Sequence, residues 1–361
     1  MSLGVIDADG HVLETEATWA ALDPRYEAWR PRWVTDPAGV PRVLIEGRLY
    51  QKPQGPGRGH PDGLHGPNQK ALHNGGMDPH GRLTDMDLEG IDAALVYPTI
   101  GLGVGGLEEA GFATAFCRAY NDWVAEYCRT APNRLRGVAL VALQDVAAAV
   151  REVQRCIGEL GMVGLMLPTN VRGKNLSQRA FDPFFAAVQE LDVPIGIHTS
   201  TGFYNHACGE ERFESFALAH AASFAFEGML AVASFVCEGI WERFPRLKVV
   251  FLEASIGWVP WWLERLDEHF ELRGHDMPEM KMPASEYVQA RDCYFSCDPD
   301  EKGVPLAVQT VGEDRVLYAS DYPHWDARFP DSVRMIRQRE DLSDTTKHKI
   351  LCANAARLYG L

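Results

Sequence analysis

Short apolar runs recur along the chain, separated by longer stretches with apolar residues at helical spacing. The runs fall at residues 5–9 (VIDAD), 93–98 (AALVYP), 135–141 (LRGVALV), 163–167 (VGLML), 194–198 (PIGIH), 248–253 (KVVFLE), 293–296 (CYFS) and 316–321 (VLYASD). They are rich in β-branched and aromatic residues and lack strict alternation, the pattern of strands buried on both faces. Residues 107–130, 145–159, 182–191, 227–244, 260–271 and 343–359 are expected to be helices, with Asp145 as an N-cap and Pro260 in a first turn. Strands alternating with helices imply a parallel sheet. Eight repeats favour a closed, distorted TIM (β/α)8 barrel over an open doubly wound sheet, and no GxGxxG follows the first strand.

One region breaks the rhythm. Residues 12–83 read as an insertion after the first strand within a single domain of residues 1–361. Residues 43–50 (VLIEGRLY) predict a hairpin around Glu46-Gly47. Residues 53–82 are dense in Gly, Pro and His and are expected to form a lid over the barrel mouth, with His60, His65, His73 and His80 as candidate lining groups.

Composition narrows the function. Hydrophobic residues are 46% and charged residues 24% of 361, which fits a folded globular chain. Lys plus Arg is 35 against 50 for Asp plus Glu, a net charge of -15, so neither nucleic acid nor an anionic membrane is an expected partner. The most apolar run, residues 229–236, is too short to span a bilayer, and no basic-then-apolar leader opens the sequence. Eight cysteines without CxxC spacing read as reduced thiols in a cytoplasmic protein.

In a barrel of this kind the chemistry sits at the C-terminal strand ends. Asp9 and His11 stand past strand one, His198 ends strand five, Glu253 strand six and Asp321 strand eight. Each alone is ordinary: a core histidine, a turn cap, an ion-pair partner. Together, two imidazoles with carboxylates at one rim suit one divalent metal, zinc or manganese. Strand four offers no Lys to bridge a second ion, which argues for a single one.

The chain resembles the amidohydrolase superfamily, in the branch that holds aminocarboxymuconate-semialdehyde decarboxylase and related hydrolases. The resemblance runs through IDADGH, RLTDMDLEGID with VYPT, AYNDWVAEYC, FDPFFAAVQELDVPIGIHTS, ERFPRLKVVFLEASIGWVPWWLERLDEHFE, LYASDYPHWD and NAARLYGL. It implies a distorted TIM barrel and places metal ligation on Asp9, His11, His198 and Asp321, with Asp321 doubling as acid or base. Two departures stand out. The first motif is Asp9-x-His11 where the decarboxylases carry HxH or ExH, and Glu253 stands where they carry a catalytic His. His324, in DYPHW, is the replacement for that His by sequence.

Hydrolysis of an amide, ester or activated C–C bond is therefore expected first, with metal-bound water as nucleophile and Asp321 as general base. A non-oxidative decarboxylase of an aromatic or enoic acid is the alternative, and an inactive barrel used as a binding protein is the third. The substrate is a small molecule. Trp258, Trp261 and Trp262 are expected to pack in the core or against a second subunit, a possible homodimer. His206 is expected at the mouth, His220 in a buried structural role, and Arg172 and Lys174 on the surface or against a substrate carboxylate.

Overall fold

A computed structural model describes residues 4–63 and 70–361. Eight parallel strands carry the fold: β1 (Ile6–His11), β2 (Ala93–Tyr97), β3 (Leu135–Leu140), β4 (Gly164–Pro168), β5 (Ile195–His198), β6 (Lys248–Phe251), β7 (Asp292–Cys297) and β8 (Val316–Tyr318). Each pairs with the next in chain order. The ring closes through single bonds between β1 and the segment after β8: Asp321 N donates to Asp9 O (2.9 Å) and His11 N to Tyr322 O (2.6 Å). This is the (β/α)8 barrel expected from the apolar runs. All eight runs become strands, and their residues are almost wholly buried because helices cover the outer face.

The helices follow in order: α1 (Pro79–Glu89), α2 (Ala110–Arg129), α3 (Val146–Gly158), α4 (Asp182–Leu191), α5 (Phe216–Val236), α6 (Val259–Arg273) and α7 (Val304–Val311). Asp145 caps α3 by accepting from Ala148 N, as expected. The helix expected over residues 227–244 instead begins eleven residues earlier and ends at Val236, because Gly239 takes a left-handed conformation (φ 73°) before a separate turn, Ile240–Arg243. Residues 216–226 are nearly all apolar and so show no amphipathic stripe to read. Phe216–Arg243 is long and apolar enough to cross a bilayer by length and composition, contrary to the expectation that no stretch was. Here α5 packs on the barrel and buries Glu227, which accepts from Thr169 Oγ1 (2.5 Å), Asn170 Nδ2 (2.9 Å) and Cys208 N (2.7 Å).

The insertion carries its own antiparallel sheet, Arg32–Thr35, Pro41–Ile45 and Arg48–Tyr50. The last two strands are the expected hairpin, turned by Glu46 (φ 50°) and Gly47 (φ 75°). Beyond it the chain is pinned to the segment after β5: Lys52 N donates to Gly202 O (2.9 Å) and Lys52 Nζ pairs with Glu210 (3.1 Å). Gly59 and Gly202 meet so closely that a Cβ on Gly202 would lie 2.7 Å from Gly59 Cα. None of the eight cysteines forms a disulfide.

Candidate active site

Asp9 and His11 are two apart on β1, so both side chains leave the same face of the strand. Gly10 between them has no room for a side chain, since a Cβ there would stand 2.3 Å from Nη2 of buried Arg82. Arg82 donates to His11 O (2.8 Å) and so fixes the strand end. Asp7, one pleat earlier, accepts from Ser320 N (2.9 Å) and Ser320 Oγ (2.6 Å). That clamp delivers the next residue, Asp321, to the rim. Asp321 sits three residues beyond β8 in a left-handed conformation (φ 52°), which Asp tolerates better than most residues.

Asp9, His11 and His198 converge, their ligand atoms all within 4.8 Å of one another. Asp321 joins through His11, with Oδ1 3.5 Å from His11 Nε2. His11 Nδ1 lies 2.7 Å from Pro98 O and His198 Nδ1 2.7 Å from Thr199 O. A carbonyl only accepts, so both Nδ1 atoms carry the proton and both Nε2 atoms present a lone pair. The remaining separations are His11 Nε2–Asp9 Oδ1 3.3 Å, His198 Nε2–Asp9 Oδ2 3.8 Å and His198 Nε2–Glu253 Oε2 3.2 Å. Both Asp9 oxygens, both Nε2 atoms and Glu253 Oε2 are buried without a hydrogen-bond partner. Leaving five such atoms unpartnered in the interior would cost several kcal/mol. Lone pairs facing one point at the separations that ligand bonds of about 2.1 Å create fit a divalent ion.

The electrostatics agree. Burial holds the Asp9 carboxyl up at about 6 against the pull of His198. Burial, then the charges of Glu253, Asp326 and Asp9, push Asp321 well above the usual carboxylate range. Burial and the neighbouring imidazoles push His11 and His324 well below the usual histidine value. A divalent ion would relieve all of these at once.

A proton-bearing chain meets this cluster. Thr99, two residues past β2, donates its single hydroxyl proton to Val12 O (2.7 Å) and so accepts from His324 Nε2 (2.9 Å). With Nε2 committed as donor, His324 Nδ1 faces Asp321 Oδ1 at 2.6 Å, and one proton is held between them. Thr99 is positioned by Glu14, whose buried carboxylate accepts from Thr99 N (3.0 Å), Ile100 N (2.9 Å) and Gly101 N (2.9 Å).

The pocket outside the cluster encloses about 570 Å3, its open mouth included. Phe203, Phe216, Phe224 and Trp325 give it aromatic walls, and Gln51, His60 and Gly63 of the insertion cover one side. His220 also lines it, and its Nε2 stands 3.6 Å from Glu253 Oε1, so it is not the buried structural histidine the sequence suggested. Its position on an apolar helix hid it. Other expectations shift as well. His206 is exposed and does not line this pocket, and Arg172 and Lys174 border a separate cleft with Glu108 and Phe181. His73 bonds Asp85 (2.5 Å), His80 is exposed in the first turn of α1, and His65 lies outside the described residues. Trp258 and Trp262 pack inward, donating to Ala254 O and Met229 O, while Trp261 is 56% exposed. Cys293 and Cys297 are buried.

An amidohydrolase family model matches residues 6–361. The chain belongs to the amidohydrolase family. It is 27% identical over 290 residues to 2-amino-3-carboxymuconate-6-semialdehyde decarboxylase of Dictyostelium discoideum, covering 79% of this chain and 77% of that one. It is 26% identical over 297 residues to gamma-resorcylate decarboxylase of a Polaromonas species, covering 78% and 86%. Among solved structures, 5-carboxyvanillate decarboxylase of Novosphingobium aromaticivorans with bound manganese superposes with a TM-score of 0.76 at 24% identity, over 100% of this chain and 97% of that one. As an amidohydrolase with such relatives, the chain is an enzyme and not an inert scaffold.

Proposed function

We propose that this amidohydrolase is a non-oxidative decarboxylase of a small aromatic or enoic acid, dependent on a divalent metal held by Asp9, His11, His198 and Asp321. The observation that carries the reading is the 2.6 Å contact between Asp321 Oδ1 and His324 Nδ1 at the rim of the ligand cluster, facing an aromatic-walled pocket. When bound, the ion supplies a Lewis acid for the substrate carboxylate and an adjacent oxygen. Two carboxylates beside two imidazoles make manganese the better fit than zinc. Phe216, Phe224 and Trp325 orient a planar substrate and exclude water. Asp321 gives its proton to the carbon that bears the carboxylate, the C–C bond breaks, and CO2 leaves with the other product protonated at that carbon. His324 keeps a proton beside Asp321 Oδ1 between turnovers, and Thr99 holds the ring in the tautomer this requires.

By sequence, hydrolysis stood first because no imidazole follows strand six. His220 weakens that ground, since an imidazole faces Glu253 across the pocket after all. Decarboxylation is also the reaction named for the two curated relatives above. The test is a panel of ortho-hydroxylated benzoic acids and enoic acids run with Mn2+ in deuterated and in 18O-labelled water. CO2 release with one deuterium at the vacated carbon and no 18O in the product is expected. Incorporation of 18O without CO2 would return the assignment to hydrolysis.

A further inference from the structure

Glu253 has two faces. Its Oε2 points at His198, inside the cluster already described, while Oε1 points toward His220. The ligand atoms of His220, Glu253 and Asp326 lie within 4.8 Å of one another. His220 pairs with Glu253, and Asp326 hydrogen-bonds Asp321, but no hydrogen bond or ion pair joins Asp326 to the other two. His220 Nε2 and Glu253 Oε1 are 3.6 Å apart, beyond hydrogen-bond reach but within the edge length of a coordination shell. Asp326 Oδ1 and Glu253 Oε2 are both buried without a partner. The described residues lining this pocket include Glu253 and Asp326 and no Lys or Arg, which leaves the His220 imidazole as the group paired with Glu253 Oε1.

We infer that His220, Glu253 and Asp326 form a second divalent-cation site, with Glu253 bridging it to the first. The three ligands come from different parts of the fold: His220 from α5, Glu253 two residues past β6, and Asp326 five residues past Asp321 in the segment after β8. The absence of a Lys at the end of β4 led to the expectation of one ion, but here the bridge is a carboxylate two strands further round the barrel mouth. A pair of oxygens and one imidazole suit a hard cation such as Mn2+ or Mg2+ more than Zn2+. Carboxylate-bridged ions about 3.5–4 Å apart would clamp two oxygens of one substrate. The site opens onto the aromatic walls, with the His220 ring stacked on Phe224 at 3.9 Å.

The inference rests on the first ion being present, and the experiment separates the two. Metal-stripped wild-type protein is titrated with Mn2+ and free ion is counted by electron paramagnetic resonance, beside His220→Ala and Asp326→Asn. Neither substitution replaces Asp9, His11, His198 or Asp321, and His220→Ala, which leaves the Asp326–Asp321 hydrogen bond in place, is the deciding variant. Two ions per wild-type chain, a spin-coupled pair signal at low temperature, and one ion with no coupling in both variants are expected. Saturation of wild type at one ion overturns the second site and leaves the first standing. Two ions without coupling overturn the bridge, two ions retained by both variants overturn the ligand set, and no bound ion overturns the first site as well. The wild-type count needs no variant to fold.

Discussion

Thr99 shows how much a single hydroxyl can decide. It spends its only proton on Val12 O, which makes His324 Nε2 the donor and leaves Nδ1 to share a proton with Asp321. Thr99→Val removes the acceptor for that donor and frees the ring to turn or change tautomer. Turnover is expected to fall by at least about tenfold with little change in KM, since the defect lies in proton delivery and not in binding. Thr99→Ser should restore most of the loss. Asp321→Asn, which cannot carry the proton, should cost about 10^3-fold or more in kcat while thermal unfolding shows the fold intact. His198→Ala should abolish turnover in the same way, by emptying the ion site. Wild-type rates in Asp321→Asn and His198→Ala together would remove the site. Asp9, His11, His198 and Asp321 were all readable as polar residues at the ends of apolar runs. Thr99 was not, because a Thr after a strand is common, and only its three-dimensional partners reveal what it does.

At the level of elements, the rim works because local devices aim the strand ends. Glu14 is the clearest. One buried carboxylate accepts three backbone N–H groups at the start of the Ile100–Gly106 turn and so sets where Thr99 points. Glu14→Ala leaves those donors unsatisfied, and at about 1–3 kcal/mol per buried group a loss of at least about 3 kcal/mol in unfolding free energy is expected. Chemical denaturation measures it. Burial also holds the Glu14 carboxyl up at about 7, above 4.5 for the exposed group. A carboxyl that binds its proton more tightly when folded favours the native state most below pH 4.5, and this contribution shrinks as pH rises to about 7. Wild type should therefore lose stability relative to Glu14→Gln over that window, and a flat difference would show that Glu14 is ionised throughout. The eight strands were legible because runs buried on both faces need no partner to be recognised. The start of α5 was not, since residues 216–226 are apolar on every face, and with it went His220. Asp326 was equally hidden, as a polar residue in a loop whose partners lie on α5 and past β6.

For the whole molecule, the barrel gathers carboxylates from distant parts of the chain into one buried mouth. An ion held there, as proposed, would compete with protonation. Asp9 must lose its proton to ligate, and without the ion it does so at about pH 6. Mn2+ affinity should thus fall as pH drops below about 6, with proton release visible as a buffer-dependent binding enthalpy. Stripping the metal should lower the unfolding midpoint by a few degrees, because an ion that binds only the native state contributes about 2.7 kcal/mol at a hundredfold excess over Kd. The measurement that reaches the centre most directly is anomalous X-ray scattering at the manganese edge from a crystal of Mn2+-loaded protein. A peak about 2.0–2.3 Å from Asp9, His11 Nε2, His198 Nε2 and Asp321 is expected. A saturated crystal with no peak touching those four side chains would contradict it.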